Sequence, residues 1–170
     1  METTVRKIIG ANVKSLRETL GLSQIKFAIL TGISRASIVN IESGKSGYNL
    51  NLIDSILTFS NYNIEDITKQ NFHLPSDFRE ILTEHYKENL DIYAALKEKP
   101  TIVYAIKYRL MQSSFLEQPR EISEIRAFFG EMGWNFLGTS IQNALRRMPS
   151  SILIEKQDGK ENTFLYSKRQ

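Results

Sequence analysis

Two short apolar-periodic runs, Ser23 to Thr31 and Ser34 to Glu42, meet at Gly32, and that spacing narrows what this chain can fold into. Each run is long enough for about two helical turns and too short to be stable alone. Ser23 and Ser34 stand at the two starts, where a hydroxyl can accept from backbone N–H groups that a helix start leaves free. Gly32 supplies the positive φ of a sharp turn. Helices joined so tightly must share a core, and Ile25, Ala28, Ile29, Ile33, Ile38 and Ile41 are expected to form it. The outer face of the second run is left with Arg35, Ala36, Ser37 and Asn40. These side chains are short or hydrogen-bonding, the kind that reach base edges in a DNA major groove.

The run Leu22, Ser23, Gln24, Phe27, Ala28, Gly32, Ile33, Ser34, Ile38, Ile41, Glu42 and Gly44 places residues of different chemistry at fixed intervals. In this it resembles the helix-turn-helix of the lambdoid phage repressor and Cro (XRE-type) family. The similarity extends over about residues 4–68, which the resemblance implies is a five-helix DNA-binding domain. Phe27 stands where Leu is usual, and Ala36 is small where a polar reader is common. The resemblance also implies roles. Gln24 would contact phosphate and brace the recognition helix, and Glu42 would pair with Arg17 of the first helix. Proteins of this kind usually bind palindromic sites as homodimers.

Beyond the motif the pattern stays helical. Val5, Ile8, Ile9, Val13, Leu16 and Leu20 predict a first helix over residues 4–20, ended by Gly21. It lacks the apolar stretch of a secretory leader. Gly44 to Gly47 reads as a loop. Asn49 is placed to cap a fourth helix through Phe59, and Ile64 to Thr68 forms one more turn. Phe72 to Asp77 reads as a linker. Phe78, Ile81, Leu82, His85, Tyr86, Leu90, Ile92, Tyr93 and Leu96 then make an apolar stripe, a candidate dimer or interdomain surface. After Pro100, Thr101 to Ser113 predicts another helix. Ile122 to Phe129 predicts the next, and a last one carries Ile141, Leu145 and Met148, capped by Thr139 or Ser140. The period then switches. Ser151 to Lys156 and Asn162 to Ser167 read as strands around an Asp158-Gly159 turn. Helices followed by a hairpin is an order that resembles a winged helix-turn-helix. The expected fold is mainly α: a five-helix repressor-like helix-turn-helix domain (1–70), a helical connector (71–99) and a C-terminal winged helix with a β-hairpin (100–170).

Composition supports a folded chain, with 41% hydrophobic residues. With no cysteine there are no disulfides or thiolate metal sites, as suits a reducing cytoplasm. No apolar run approaches the ~20 residues of a membrane span. Residues 1–70 carry 8 Lys+Arg against 6 Asp+Glu, residues 71–99 carry 4 against 6, and residues 100–170 carry 10 against 7. Two basic ends flank an acidic middle, as expected if the ends meet phosphates.

The candidate base readers are Ser34, Arg35, Ala36, Ser37 and Asn40. Arg35 can fork onto guanine O6 and N7, Asn40 can pair with adenine, and Ala36 can touch a thymine methyl. Gln24, Lys14 and Lys45 are the phosphate candidates. A second DNA face is expected on Gln142, Asn143, Arg146, Arg147, Lys156 and Lys160, with Lys168 and Arg169 in the tail. Other chemistry finds no support. Gly44-Lys45-Ser46 is no phosphate loop, since Val39 stands where a glycine is required and a helix precedes it. His73 and His85 lie in different segments without metal-ligand spacing, so no metal or cofactor is expected. Nor does any residue set point to an enzyme. Trp134, Phe128, Phe129 and Phe136 read as core. The expected function is a cytoplasmic, sequence-specific transcriptional regulator bound to double-stranded DNA as a homodimer. The alternative is an antitoxin-type protein-interaction module, whose C-terminal domain binds a protein and whose DNA binding is autoregulatory.

Overall fold

A computed structural model describes residues 4–45, 49–159 and 163–169. Its described residues form ten α-helices and one two-stranded antiparallel sheet. They divide into two compact units, 1–98 and 99–170.

The first unit is helical. Helices α1 (Val5–Thr19), α2 (Gln24–Thr31), α3 (Arg35–Glu42), α4 (Leu50–Ser60) and α5 (Ile64–Ile67) follow one another, with α1 packed on α3 and α5, and α2 on α3 and α4. Local chemistry sets the boundaries. Ser23 Oγ accepts from Lys26 N at 3.2 Å, and Ser34 Oγ accepts from Ser37 N at 3.1 Å. Gly32 takes φ 68° and its N–H donates back to α2, so the chain turns within three residues. Asn49 and Asn63 cap α4 and α5 in the same way. Val13, Leu16, Leu20, Phe27, Ile38, Ile41, Ile53 and Ile56 fill the centre.

Two expectations about this core change. Ile25 and Ile29 do not join it; Ile29 is 73% exposed. Phe27, Ala28 and Thr31 take the inner face of α2, so residues 25 and 29, at i and i+4, share the opposite side. The segment read as a connector is instead the outer layer of this unit. Helices α6 (Phe78–His85) and α7 (Leu90–Lys97) bury Phe78, Leu82 and Leu96 in the same core. Buried Arg79 fastens them, donating to the Leu20 and Glu98 carbonyls, the latter at 2.7 Å. Tyr86 stacks on Phe59 and donates to its carbonyl at 3.0 Å. Thus the apolar stripe is spent mostly inside the unit, leaving Ile81 and Leu90 exposed.

In the second unit, α8 (Ile102–Ala105) passes into a π-helical turn, Ile106–Leu110, where one longer helix was expected. A 3-10 turn, Phe115–Glu117, leads to α9 (Ile122–Glu131), whose start is closed by a reciprocal Glu121/Glu124 capping box. Helix α10 (Gly138–Arg146) begins at Gly138, so Thr139 and Ser140 lie within its first turn and do not cap it. Strands β1 (Ile152–Lys156) and β2 (Phe164–Lys168) pair with Ile152 opposite Lys168 and Lys156 opposite Phe164. Arg120, between α8 and α9, bridges to Tyr166. Gly159 holds the turn at φ 75°, whereas Lys160 and Asn162 lie outside the described residues. Ile106, Leu110, Ile125, Phe129, Ile141, Leu145, Ile152 and Tyr166 form the core, with Phe128, Trp134 and Phe136 packed into or against it.

Helix α1 and helix α3 approach so closely that a Cβ on Gly10 would overlap the Ile41 carbonyl oxygen. In an open helix Gly→Ala stabilises by about 1 kcal/mol. Here Gly10→Ala is expected to destabilise by about 1–3 kcal/mol, the usual cost of overpacking. Urea unfolding checks it; a rise in stability would show that the two helices do not meet this closely.

Candidate nucleic-acid interface

Helix α3 buries Ile38 and Ile41 completely and turns a polar face outward. On that face Arg35, Ala36 and Asn40 are exposed and Ser37 is half-buried. Ser34 is exposed but its hydroxyl is engaged, capping the helix and lying 2.9 Å from Ser37 Oγ. Val39, 39% exposed, completes the face at i+4 from Arg35. Val39 was not among the expected readers. Its exposure puts a second methyl-bearing side chain beside Ala36.

What holds this face in place is a buried polar clamp. Arg17 Nε donates to Glu42 Oε1 at 2.5 Å, and Arg17 Nη2 donates to Glu42 Oε2 at 3.0 Å. The Arg17 side chain is 11% exposed and the Glu42 side chain 5%. Arg17 Nη1 reaches the Leu22 carbonyl at 2.9 Å, and Gln24 Nε2 donates to Glu42 Oε2 at 2.9 Å. Three elements, α1, α2 and α3, are thereby tied through one carboxylate. A fork-to-fork Arg–carboxylate pair fixes angle as well as distance. The brace expected of Gln24 is present; its amide lies on Glu42 at the start of α2.

The outer face of α3 carries no carboxylate of its own helix. Glu42 is the only acidic residue of α3, and it faces inward onto Arg17. Arg35 and Lys45 are exposed and have no carboxylate partner among the described residues. Lys7, which the sequence reading did not single out, also lies here. The α1 backbone at Lys7 packs against Gly44, so close that a Cβ on Gly44 would sit 3.1 Å from Lys7 Cα. Lys7 and Lys45 thus flank the turn that follows α3. No local signal could identify Lys7, because it lies on α1, 28 residues before the start of α3. Lys14 is less available, lying 3.9 Å from Glu18 on the next turn of α1.

The second expected face is more dispersed. Asn143, Arg146, Arg147 and Lys156 are exposed, Gln142 is half-buried, and Lys160 lies outside the described residues. The Arg146 guanidinium stands over the Phe164 ring at 5.8 Å, joining α10 to β2.

Comparison with known proteins bears on the first unit. Residues 13–66 match the helix-turn-helix family model HTH_3, a span that contains α2, α3 and α4, the C-terminal part of α1 and most of α5. The chain therefore carries an XRE-type helix-turn-helix domain at its N-terminus, a DNA-binding class. It is similar to antitoxin PezA of Streptococcus pneumoniae serotype 4 (strain ATCC BAA-334 / TIGR4), with 45% identity over 60 residues. That match covers 35% of this chain and 38% of the relative, less than half of either. No solved structure matches the chain.

Replacing Glu42 by Ala strands Arg17 in the interior without its partner. Breaking such a buried pair costs about 3–5 kcal/mol. Glu42→Ala is expected to lower the melting temperature and DNA affinity together. A melt unchanged from wild type with affinity lost would show that the pair does not set the fold.

Proposed function

We propose that this protein is a cytoplasmic, sequence-specific DNA-binding transcriptional regulator that grips a palindromic operator as a homodimer. The acid-free face of α3, pinned by the Arg17–Glu42–Gln24 clamp, carries the reading. A recognition helix enters the major groove with its N-terminal residues foremost, which puts Arg35 and Ala36 at base edges and Val39 and Asn40 one turn deeper. Arg35 reads guanine through its fork, Asn40 reads adenine, and Ala36 and Val39 meet thymine methyls. Gln24 at the start of α2, with Lys7 and Lys45 at the far end of α3, meets the phosphate backbone and sets the register. One helix reads only a few base pairs, so two copies are needed for useful specificity. Exposed Ile81 and Leu90 are the apolar residues of α6 and α7 left for that contact. None of this requires a catalytic group, a metal or a cofactor. Among the described residues no helix is long and apolar enough to cross a membrane.

A second reading draws on the relative, which is named an antitoxin. In it the helix-turn-helix unit autoregulates and the second unit, 99–170, binds a protein. That unit follows the order helix, strand bridge, helix, helix, hairpin, with Arg120 as the bridge, which supports a winged helix as its architecture. Winged helices serve both DNA and protein contacts.

Selection of bound duplex from a random pool tests the first reading. Wild type is expected to enrich an inverted repeat, and Arg35→Ala to relax one position of each half-site at a cost of about 1–3 kcal/mol. Enrichment of no sequence at all would end it. Light scattering should return twice the chain mass; a monomer at high concentration removes the dimer.

A further inference from the structure

We infer that the second unit grips duplex DNA through its phosphates without reading sequence, so that specificity and electrostatic affinity reside in different halves of the chain. The inference rests on the DNA-binding reading of α3 and assigns the second unit a separate part in it. Its first support is charge. Residues 1–98 carry 11 Lys+Arg against 12 Asp+Glu, whereas residues 99–170 carry 11 against 7. The unit with the recognition helix has net charge −1, and the other has +4. Pairing leaves these net charges unchanged and decides which cations stand free. In the first unit Lys14, Arg17, Lys26, Lys69 and Lys87 all lie against carboxylates. In the second, Arg146, Arg147, Lys156, Lys168 and Arg169 have no carboxylate partner among the described residues.

Placement supplies the second support. Arg146 and Arg147 close α10, and Arg146 stands over Phe164. Lys156 is paired opposite Phe164, and directly opposed residues share a sheet face. Arg146 and Lys156 therefore both lie beside Phe164. Lys168 lies at the other end of β2, opposite buried Ile152 and separated from Phe164 by buried Tyr166, and Arg169 follows it. The unpaired cations thus form two groups, one at the end of α10 and one at the end of β2, and separated cationic groups suit a polyanion with regularly spaced charges.

The surface does not suit a protein or base reading equally well. Among the described residues of this unit only Met132 and Leu137 are large exposed apolar side chains, and a protein interface needs an apolar centre. Base reading draws on the first turn of a helix, but that turn of α10 carries Gly138, Thr139 and Ser140 and no cation. Cations at the helix end are placed for backbone phosphates, and tethering to a second DNA-bound unit raises their effective concentration.

The test is fluorescence anisotropy on the full chain over a salt series, with a selected operator and a scrambled duplex of equal length. Arg146→Gln/Arg147→Gln removes one pair of charges. Lys168→Gln/Arg169→Gln removes an exposed pair without side-chain ion pairs among the described residues and guards against misfolding. Each double variant is expected to weaken both duplexes by the same factor. The slope of log K against log salt should fall by about 2, near 0.9 per lost phosphate contact. Arg146→Lys/Arg147→Lys should restore it. Arg35→Ala should instead narrow the gap between operator and scrambled duplex. Slopes unchanged in both Gln variants overturn the inference while leaving α3 as a reader. Absence of any operator preference in wild type, with the slopes still shifting, sinks the α3 reading and the division of roles with it, and leaves only the phosphate grip of the second unit. Failure to bind either duplex ends both. Unchanged slopes with lost binding to poly-glutamate would assign the face to an acidic protein and overturn the inference.

Discussion

A guanidinium taken out of water needs a carboxylate and good geometry, and Arg17 has both in Glu42. The rest of the first unit is arranged around that requirement. Because the pair is buried, neither partner can be lost without leaving a charge in the interior. Because it is bidentate, it tolerates little rotation of α3 against α1. Gln24 occupies Glu42 Oε2 and brings in α2. Gly10 lets the α1 and α3 backbones approach, and the isoleucines beneath α3 hold it up from below. Rigidity of the reading face follows from these contacts. The eight residues of α3 could not hold a helix alone.

Specificity and affinity need different physics, and in the proposed reading the chain separates them. Base edges are read at short range by a few rigid groups, whereas phosphate attraction is long-ranged and tolerant of position. The α3 face is sparsely charged, with Arg35 its only cation, so it gains little from non-specific duplex. The cationic end of α10 and the hairpin would add affinity to any duplex. In that reading the whole chain would search DNA while α3 would decide where it stays.

Comparing the expected and observed helices shows which kinds of information a sequence carries. Ser23, Ser34, Asn49 and Gly32 mark their boundaries because capping and positive φ are local chemistry. The Glu42–Arg17 pair came from resemblance alone, since spacing cannot reveal that residues 17 and 42 touch. Ile25 and Ile29 misled because α2 is apolar on two sides, and periodicity cannot say which side finds a partner. For the same reason residues 71–99 read as a connector. A stripe is equally apolar whether it meets its own core or another chain, and only Phe78, Leu82 and Arg79 in place show the first. Val39 and Lys7 were missed because exposure and adjacency depend on how α1 and α3 pack.

The sequence by itself determined the helix-turn-helix: caps, turn and apolar spacing lie within about twenty residues, where backbone geometry leaves few alternatives. It also determined the change from helical to strand period near Ser151, for the same local reason. Only the tertiary structure decided which isoleucines are core, where residues 71–98 pack, and which cations stand free of carboxylates. Those are outcomes of competition between distant surfaces for burial and for counter-charge, and distance along the chain does not encode them.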